Sequence, residues 1–333
     1  MELTLKDTQI LKGLGICLML WHHLFWLMPD YGAVTQAVGI LGKVCVSIFL
    51  FLSGYGLSVQ YRKVPQHALH ESLRFLVIRL VKLFFAYWPC FFIVVVAGSL
   101  AGHTPATAYP SHLNTYKCLL LDFFGMTSYN SYLPEWWYMR MIVQLYLFFP
   151  LLYLLLRRRS VAILSLCAAT LLLFLPPVGI VAVDEGGIAT FFLGMVCSTL
   201  PSRPMKASVV FPLSLMAGGL FAWALLQKDF PIPPALPFMA IAFAIVAVYL
   251  CVRNIYHFPV LQYLGTLSGT MYFTHSLFIV LIPSILYFPR FSPFVFLLFL
   301  LISVCTAFLI SQVTRLTRWD RLRDCLVSRL SQI

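Results

Sequence analysis

The sequence predicts an all-α integral membrane protein, a bundle of about ten transmembrane helices with both termini in the cytoplasm. Its 333 residues are 61% hydrophobic and only 10% charged, with a mean hydropathy of +0.91, whereas a soluble domain carries about 25% charged residues. Ten apolar segments follow one another along the chain, and a helix of about 20 apolar residues crosses a bilayer. These segments lie at roughly 13–29, 44–60, 83–101, 136–156, 160–177, 187–200, 207–226, 234–252, 264–287 and 292–313.

Lysine and arginine predict the orientation, because they concentrate in cytoplasmic loops. We assign the two termini and the gaps between the ten segments alternately to the two sides of the membrane. This places 18 lysines and arginines on the side of the N-terminus and 4 on the other side. We therefore expect a multi-pass protein of the plasma (inner) membrane with cytoplasmic N- and C-termini. The same bias accounts for the net charge of +12, so the lipid bilayer is an expected partner and nucleic acid is not.

No internal repeat or linker divides the chain, so residues 1–333 are interpreted as a single membrane domain. Its last part, at about 314–333, is a basic amphipathic tail in which Trp319, Leu322, Leu326 and other apolar residues recur at helical spacing. Such a helix is typical of the surface of an anionic bilayer. The nine cysteines are scattered and H-E-x-x-H is absent, so no metal site is predicted.

Two adjacent histidines lie near the middle of the first span. His22 and His23 follow Lys12 by about 15 Å on a helix that rises 1.5 Å per residue. Ionisable groups at this depth are costly and often functional, although either imidazole can instead satisfy a backbone carbonyl in the bundle. Because neighbouring helix residues point in different directions, we expect at most one of them to face a given site.

A third intramembrane histidine, His275, is predicted at similar depth, because its span also starts on the cytoplasmic side. Ser268 and Tyr272 precede it on roughly the same helix face. Small residues in this segment also favour close helix packing, which is an alternative to a catalytic role. Glycines beside Ser53 in the second span leave a similar choice, between packing and a helix broken beside a cavity.

Polar residues near the two membrane surfaces suggest two binding sites. Arg79 and Lys82 stand three residues apart where the third span begins; they help to set topology and also suit a phosphorylated ligand. On the other side, an aromatic turn is bounded by opposite charges and comprises Glu135, Trp136, Tyr138 and Arg140. Aromatic belts are normal at this level, but a carboxylate and aromatic faces also suit a sugar acceptor.

The order of these motifs resembles the acyltransferase-3 family of integral membrane acyltransferases. The chain contains K-G-x-G…H-H, F-L-S-G-Y, R-x-x-K…P, W-W-Y…Q-L-Y-L-F-F-P and L-G-x-x-S-G-x-M-Y-x-x-H, in that order and over nearly its whole length. The resemblance implies a membrane O-acyltransferase. Such an enzyme moves an acetyl or similar acyl group from cytoplasmic acyl-CoA (acetyl-CoA) to a hydroxyl of a cell-surface or secreted glycan.

The resemblance also implies roles for residues. The family's basic residue and histidine, separated by ten residues, match Lys12 and His23, and His23 becomes the general base. Lys12 then holds phosphates of acyl-CoA together with the pair Arg79 and Lys82.

Further residues around the base follow from the same resemblance. His275, Ser53 and Tyr272 are expected to orient it or to donate to the thioester oxygen. The acceptor passes the outer residues Glu135, Trp136, Tyr138 and Arg140.

The chain departs from the family at one acidic position. Some members carry glutamates immediately before the Q-x-Y segment, where Ile142 and Val143 stand here. Glu135, which lies seven residues before Ile142, is the candidate substitute.

Two other classes of function share these features. One is an exporter of polysaccharide or lipid-linked glycan, or a proton-coupled transporter with the histidines as a relay; inverted repeats would favour it, and none is apparent. The other is a non-catalytic sensor, which has no need for buried histidines near cations. The acyltransferase is therefore the predicted function, with a glycan acceptor and other membrane proteins of polysaccharide synthesis as expected partners.

Overall fold

A computed structural model describes residues 2–64, 69–127, 130–172, 185–201, 206–226 and 235–332. This part of the chain is helical and contains no strand, which confirms the all-α class. The helices are α1 (Leu5–Phe25), α2 (Ala33–Gly42), α3 (Val44–Tyr61), α4 (Leu69–Leu100), α5 (Pro105–Ala108), α6 (Thr115–Phe123), α7 (Trp137–Leu154), α8 (Arg159–Leu172), α9 (Glu185–Thr199), α10 (Ala207–Leu226), α11 (Ala235–Val252), α12 (Pro259–Leu281), α13 (Pro283–Leu286), α14 (Ser292–Leu316) and α15 (Trp319–Gln332).

Among the described residues, five helical stretches are long and apolar enough to cross a membrane. They are Ala33–Tyr61, Leu69–Leu100, Pro134–Leu154, Pro259–Leu281 and Ser292–Leu316. Helices suit this setting because every backbone polar group must find its partner within the protein in lipid. Shorter apolar helices overlap four more of the predicted spans, at Arg159–Thr170, Gly187–Thr199, Ala207–Trp223 and Leu236–Val252. The membrane class is confirmed, whereas the total of ten spans and the cytoplasmic termini stay predictions.

The chain forms two compact units. The first unit comprises Met1–Met19, Ile40–Val64 and Phe148–Thr266, and the second comprises Leu20–Gly39, Pro65–Leu147 and Leu267–Ile333. Helices α1, α2, α7 and α12 contribute residues to both units, and the expectation of a single membrane domain remains a prediction.

In the first unit, glycines bring helix backbones into contact. A Cβ added to Gly54 would lie 2.0 Å from the carbonyl oxygen of Phe191, so α3 and α9 touch through their backbones. The F-L-S-G-Y motif is continuous helix, which favours the packing interpretation of Gly54 over a broken helix. Small residues allow such close approach between membrane helices.

A second pair of glycines joins α1 to α12 in the same way. A Cβ on Gly13 would lie 1.9 Å from the oxygen of Leu261, and one on Gly265 would lie 1.8 Å from the oxygen of Gln9. His23 and His275 each follow one of these glycines by ten residues on the same helix. The glycines of the K-G and L-G motifs therefore set how closely the two histidine-bearing helices approach.

Gly265→Ala is expected to lower the midpoint of thermal unfolding, because the new methyl group must push α12 away from the α1 backbone. Such overpacking typically destabilises by about 1–3 kcal/mol. The matched control is Gly269→Ala on the same helix, where a Cβ would meet no atom within 4 Å. There, alanine should be neutral or stabilising by up to about 1 kcal/mol. Equal unfolding midpoints for the two variants in detergent would contradict this account.

In the second unit, Asp122 anchors the segment that precedes Glu135. Its carboxylate, which is almost completely buried, accepts hydrogen bonds from the hydroxyl of Tyr109 and the backbone N–H of Tyr132, both at 2.6 Å. The hydroxyl of Tyr87 on α4 donates to the carbonyl oxygen of Asp122 at 2.9 Å. These bonds tie the end of α6 to α4 and fix the position from which the chain enters the turn at Glu135.

Candidate active site

Three ionisable side chains come together in the second unit. His23 belongs to α1, Glu135 to the short 3-10 turn Pro134–Trp136, and His275 to α12. Nδ1 of His23 lies 3.5 Å from Oε1 of Glu135, and the rings of His23 and His275 are 4.9 Å apart between centroids. His275 is fully buried, Glu135 is 6% exposed, and the His23 side chain is 21% exposed. The cluster is therefore shielded but reachable at His23.

Helix α12 holds Glu135 by two hydrogen bonds. The hydroxyl of Ser276 donates to Oε2 of the carboxylate, and the hydroxyl of Tyr272 donates to the backbone oxygen of Glu135 at 2.6 Å. Tyr272 and Ser276 are four residues apart, so they share one face of the helix. Ser276 therefore holds one carboxylate oxygen, Oε2, and the other oxygen, Oε1, lies beside His23.

His22 and His23 have different surroundings. Nδ1 of His22 lies 2.8 Å from the carbonyl oxygen of Gly39, so this nitrogen carries the proton and donates it. The ring of His22 also stacks on that of Trp26, with centroids 5.5 Å apart. Of the two neighbouring histidines, His23 is the one beside Glu135 and His275.

The tautomer of His275 follows from its backbone contacts. Nδ1 lies 3.2 Å from the oxygen of Met271 and 2.9 Å from that of Tyr272, so it donates to these carbonyls. In the neutral ring, Nε2 then carries a lone pair. This buried nitrogen has no hydrogen-bond partner among the described residues. Because such a group is costly to leave unsatisfied, Nε2 is available to a ligand.

This arrangement can perform acid–base chemistry. A carboxylate beside Nδ1 of His23 holds the proton on that nitrogen and leaves Nε2 as a base. The separation of 3.5 Å is longer than a normal hydrogen bond, but catalytic hydrogen bonds are often long without substrate. Ligating atoms of the three residues also lie within 4.8 Å of one another. Imidazoles and carboxylates are zinc ligands, so this cluster is also where the described residues could hold a metal ion, and the expected absence of one stays a prediction.

The outer residues predicted around the acceptor occupy different environments. The ring of Tyr138 is half-buried and lies 5.2 Å from that of Tyr272. Trp136 is only 2% exposed, and its indole N–H donates to the oxygen of Phe273 at 3.1 Å. Tyr138 is thus next to a residue that holds Glu135, whereas Trp136 is a packing residue in this structure and offers little surface to a sugar.

Arg140 lies on another face of α7 from Tyr138. Side chains that are two positions apart on a helix point in directions that differ by about 200°. Arg140 is half-buried, and its predicted contact with the acceptor stays a prediction.

The residues predicted to hold acyl-CoA are distributed over two helices. Arg79 and Lys82 lie on α4 in the second unit; the guanidinium of Arg79 is 4.9 Å from the ring centroid of Phe75, and Lys82 is exposed. Lys12 is half-buried on α1, and His23 follows it by eleven positions, which is about 16 Å along the helix. Ser53 is half-buried on α3 in the first unit. The roles of these residues stay predictions.

Ser276 is the residue of the cluster that sequence reasoning missed. A signal was present, because Ser276 follows His275 directly and stands one helical turn after Tyr272. A serine alone in an apolar helix more often bonds to its own backbone, so its contact with Glu135 could be found only from the packing of α12 against the turn.

Comparison with known families identifies the chain. Residues 6–313 match the model of the acyltransferase-3 family, whose description is an acyltransferase domain. The match leaves out five residues at the N-terminus and twenty at the C-terminus. No curated protein and no solved structure matches the chain. The protein, with its membrane-spanning helices and its buried histidine–glutamate cluster, belongs to the acyltransferase-3 family and is a membrane acyltransferase.

Proposed function

We propose that the protein is an O-acyltransferase that moves an acetyl or similar acyl group from acyl-CoA to a hydroxyl of a glycan. The observation that carries this proposal is the contact between His23 and the buried carboxylate of Glu135. The pair supplies a base in a largely buried cluster, where an acyl acceptor can be deprotonated away from competing water. The proposed setting is the plasma membrane, with the donor entering from the cytoplasm and the glycan from the other side.

The proposed reaction balances without a further reactant. Nε2 of His23 takes the proton of the acceptor hydroxyl as its oxygen attacks the thioester carbonyl. The carbon–sulfur bond then breaks, and the imidazolium returns the proton to the leaving thiolate. The products are the acylated glycan and free CoA. General-base catalysis of this kind typically contributes about 10²–10⁴-fold to the rate.

Glu135 stabilises the imidazolium form of His23. Its negative charge lies beside Nδ1 of His23, so it favours the imidazolium that forms after proton transfer. Tyr272 and Ser276 keep the carboxylate in place. His275 presents the lone pair of Nε2, so in this proposal it accepts a hydrogen bond from another hydroxyl of the glycan and does not donate to the thioester oxygen.

The donor and the acceptor meet this cluster from opposite ends of the proposed site. Lys12, Arg79 and Lys82 bind the phosphates of acyl-CoA, because fixed cations are the usual partners of phosphate. Tyr138, half-buried against Tyr272, is suited to pack on the sugar ring beside Glu135.

The proposal is tested with purified protein in nanodiscs and acetyl-CoA labelled in the acetyl group. We expect release of free CoA, and transfer of the label to glycan when a cell-envelope extract is supplied. Empty nanodiscs measure spontaneous hydrolysis. Sealed proteoliposomes provide a second arm, in which an exporter would move labelled glycan across the membrane without consuming acetyl-CoA. Glycan movement without CoA release would overturn the acyltransferase proposal.

A further inference from the structure

The C-terminal helix α15 lies outside the family match, yet it is docked on α4. The indole N–H of Trp319 donates to the backbone oxygen of Phe85 at 2.8 Å, and their rings are 4.8 Å apart between centroids. At the other end, the guanidinium of Arg74 donates to the oxygen of Ser331 at 3.4 Å. Helix α15 therefore runs antiparallel to α4, along its residues 74–85.

A sharp turn directs the chain back onto α4. Arg318, between α14 and α15, has a φ of 57°, a left-handed conformation that residues with a side chain rarely adopt. The part of α4 that α15 covers includes residues before 83, where the predicted membrane span begins. This part carries Arg79 and Lys82, the two cations expected to hold phosphates.

An arginine occupies the middle of the face that α15 turns toward α4. The half-buried side chains Trp319, Arg323, Val327 and Leu330 recur at helical spacing. By contrast, Leu322 is 50% exposed, although the sequence pattern places it on the apolar face together with Trp319. An apolar side chain at position 323 would suit simple packing better, because burying a charge is costly.

Arg323 adds a third positive charge to a place that already has two. The charges of Arg79, Arg323 and Asp324 all act on Lys82. Arg323 is itself oriented by Asp320 on Nη1 and Asp324 on Nε, both at 3.0 Å. These carboxylates are 50% and 67% exposed, so solvent screens them. The contacts leave Nη2 for a ligand.

Cations brought together on a packed interface favour the binding of an anion between them. Arginine forms paired hydrogen bonds with phosphate, which makes it the favoured residue at phosphate sites. We propose that Arg323 completes, with Arg79 and Lys82, a phosphate-binding site between α15 and α4 that holds the nucleotide end of the acyl donor. This inference rests on the proposed function, and it assigns a binding role to a helix outside the family domain.

The test compares Arg323→Gln with Arg329→Gln, an exposed arginine of the same helix that lies off the packing face. Both variants and the wild type are assayed in nanodiscs of zwitterionic lipid. The loss of a charge-assisted hydrogen bond should raise the KM for acetyl-CoA about tenfold or more in Arg323→Gln. The kcat should change little, and Arg329→Gln should keep a KM within twofold of the wild type.

A second donor, acetyl-CoA without its 3′-phosphate, tests the chemistry of the site. The wild type should prefer the complete donor, and Arg323→Gln should lose most of that preference. Arg323→Lys keeps the positive charge but lacks the planar guanidinium group. Its preference for the complete donor should be intermediate between those of the wild type and Arg323→Gln, and it also controls for folding. An unchanged KM in a folded Arg323→Gln protein that still turns over acetyl-CoA overturns this inference and leaves the proposed function intact. A KM effect confined to nanodiscs with anionic lipid overturns it too, because lipid headgroups then supply the phosphate. If the wild type neither binds nor turns over acetyl-CoA, the proposed function fails as well.

Discussion

His23→Gln is expected to lower kcat for acyl transfer by about 10²–10⁴-fold, the usual contribution of a general base. Glutamine has no basic lone pair, so it cannot take the proton of the acceptor hydroxyl. The ring lies at the edge of the buried cluster and its side chain is 21% exposed, so we expect the variant to fold. CoA release in nanodiscs measures the rate, and the thermal unfolding midpoint reports on the fold.

His22→Gln provides the matched control on the same helical turn. The hydrogen bond from His22 to the oxygen of Gly39 can be replaced by the amide N–H of glutamine. We therefore expect this variant to keep its rate within a few-fold of the wild type. Equal losses in the two variants would point to a structural disturbance of α1, and an unaffected His23→Gln enzyme would remove the base from the mechanism.

The sequence was sufficient to predict the fold class and the histidine-bearing helices. Hydropathy is a local property of the sequence, so the apolar segments can be recognised without knowledge of how the helices pack. The ten-residue spacing from each glycine to its histidine, Gly13 to His23 and Gly265 to His275, is also visible along the chain. What the pattern could not show is that the glycines touch the opposite backbone, because that depends on how α1 and α12 meet.

Glu135 shows both the strength and the limit of sequence reasoning. The absence of glutamates at Ile142 and Val143 indicated Glu135 as the substitute, and the structure places it beside His23. Its neighbours in the sequence nevertheless suggested a position at the membrane surface, in contact with the acceptor. The burial of Glu135 results from hydrogen bonds with Tyr272 and Ser276, about 140 residues away in the sequence, which no local pattern can reveal.

The aromatic turn after Glu135 was interpreted as one surface because its residues are adjacent in sequence. A helix sends adjacent side chains in different directions. Trp136 consequently packs in the interior, Tyr138 lies against Tyr272, and Arg140 points in another direction from Tyr138. Because Tyr138 and Arg140 differ by about 200° in helical angle, grouping residues by that angle rather than by adjacency separates them.

Glu135→Gln is expected to reduce kcat by about 10²–10⁴-fold with little change in the KM for acetyl-CoA, because removing the carboxylate of a base–acid pair disturbs the tautomer and charge of the base. Glutamine has nearly the same shape, and its amide oxygen can still accept the hydrogen bond from Ser276. The loss should therefore come from the missing charge beside His23 and not from a collapsed site. Ser276→Ala, which removes only a support of the carboxylate, should have a smaller effect on the same assay.

The double variant distinguishes a working pair from two independent residues. If Glu135 acts through His23, the rate of His23→Gln/Glu135→Gln should be close to that of His23→Gln alone, since residues that act as a unit give strongly non-additive losses. If the two losses multiply instead, Glu135 contributes by another route, such as direct contact with the acceptor, as its position in the sequence first suggested. Because Nδ1 of His23 and Oε1 of Glu135 are 3.5 Å apart, we expect the non-additive result.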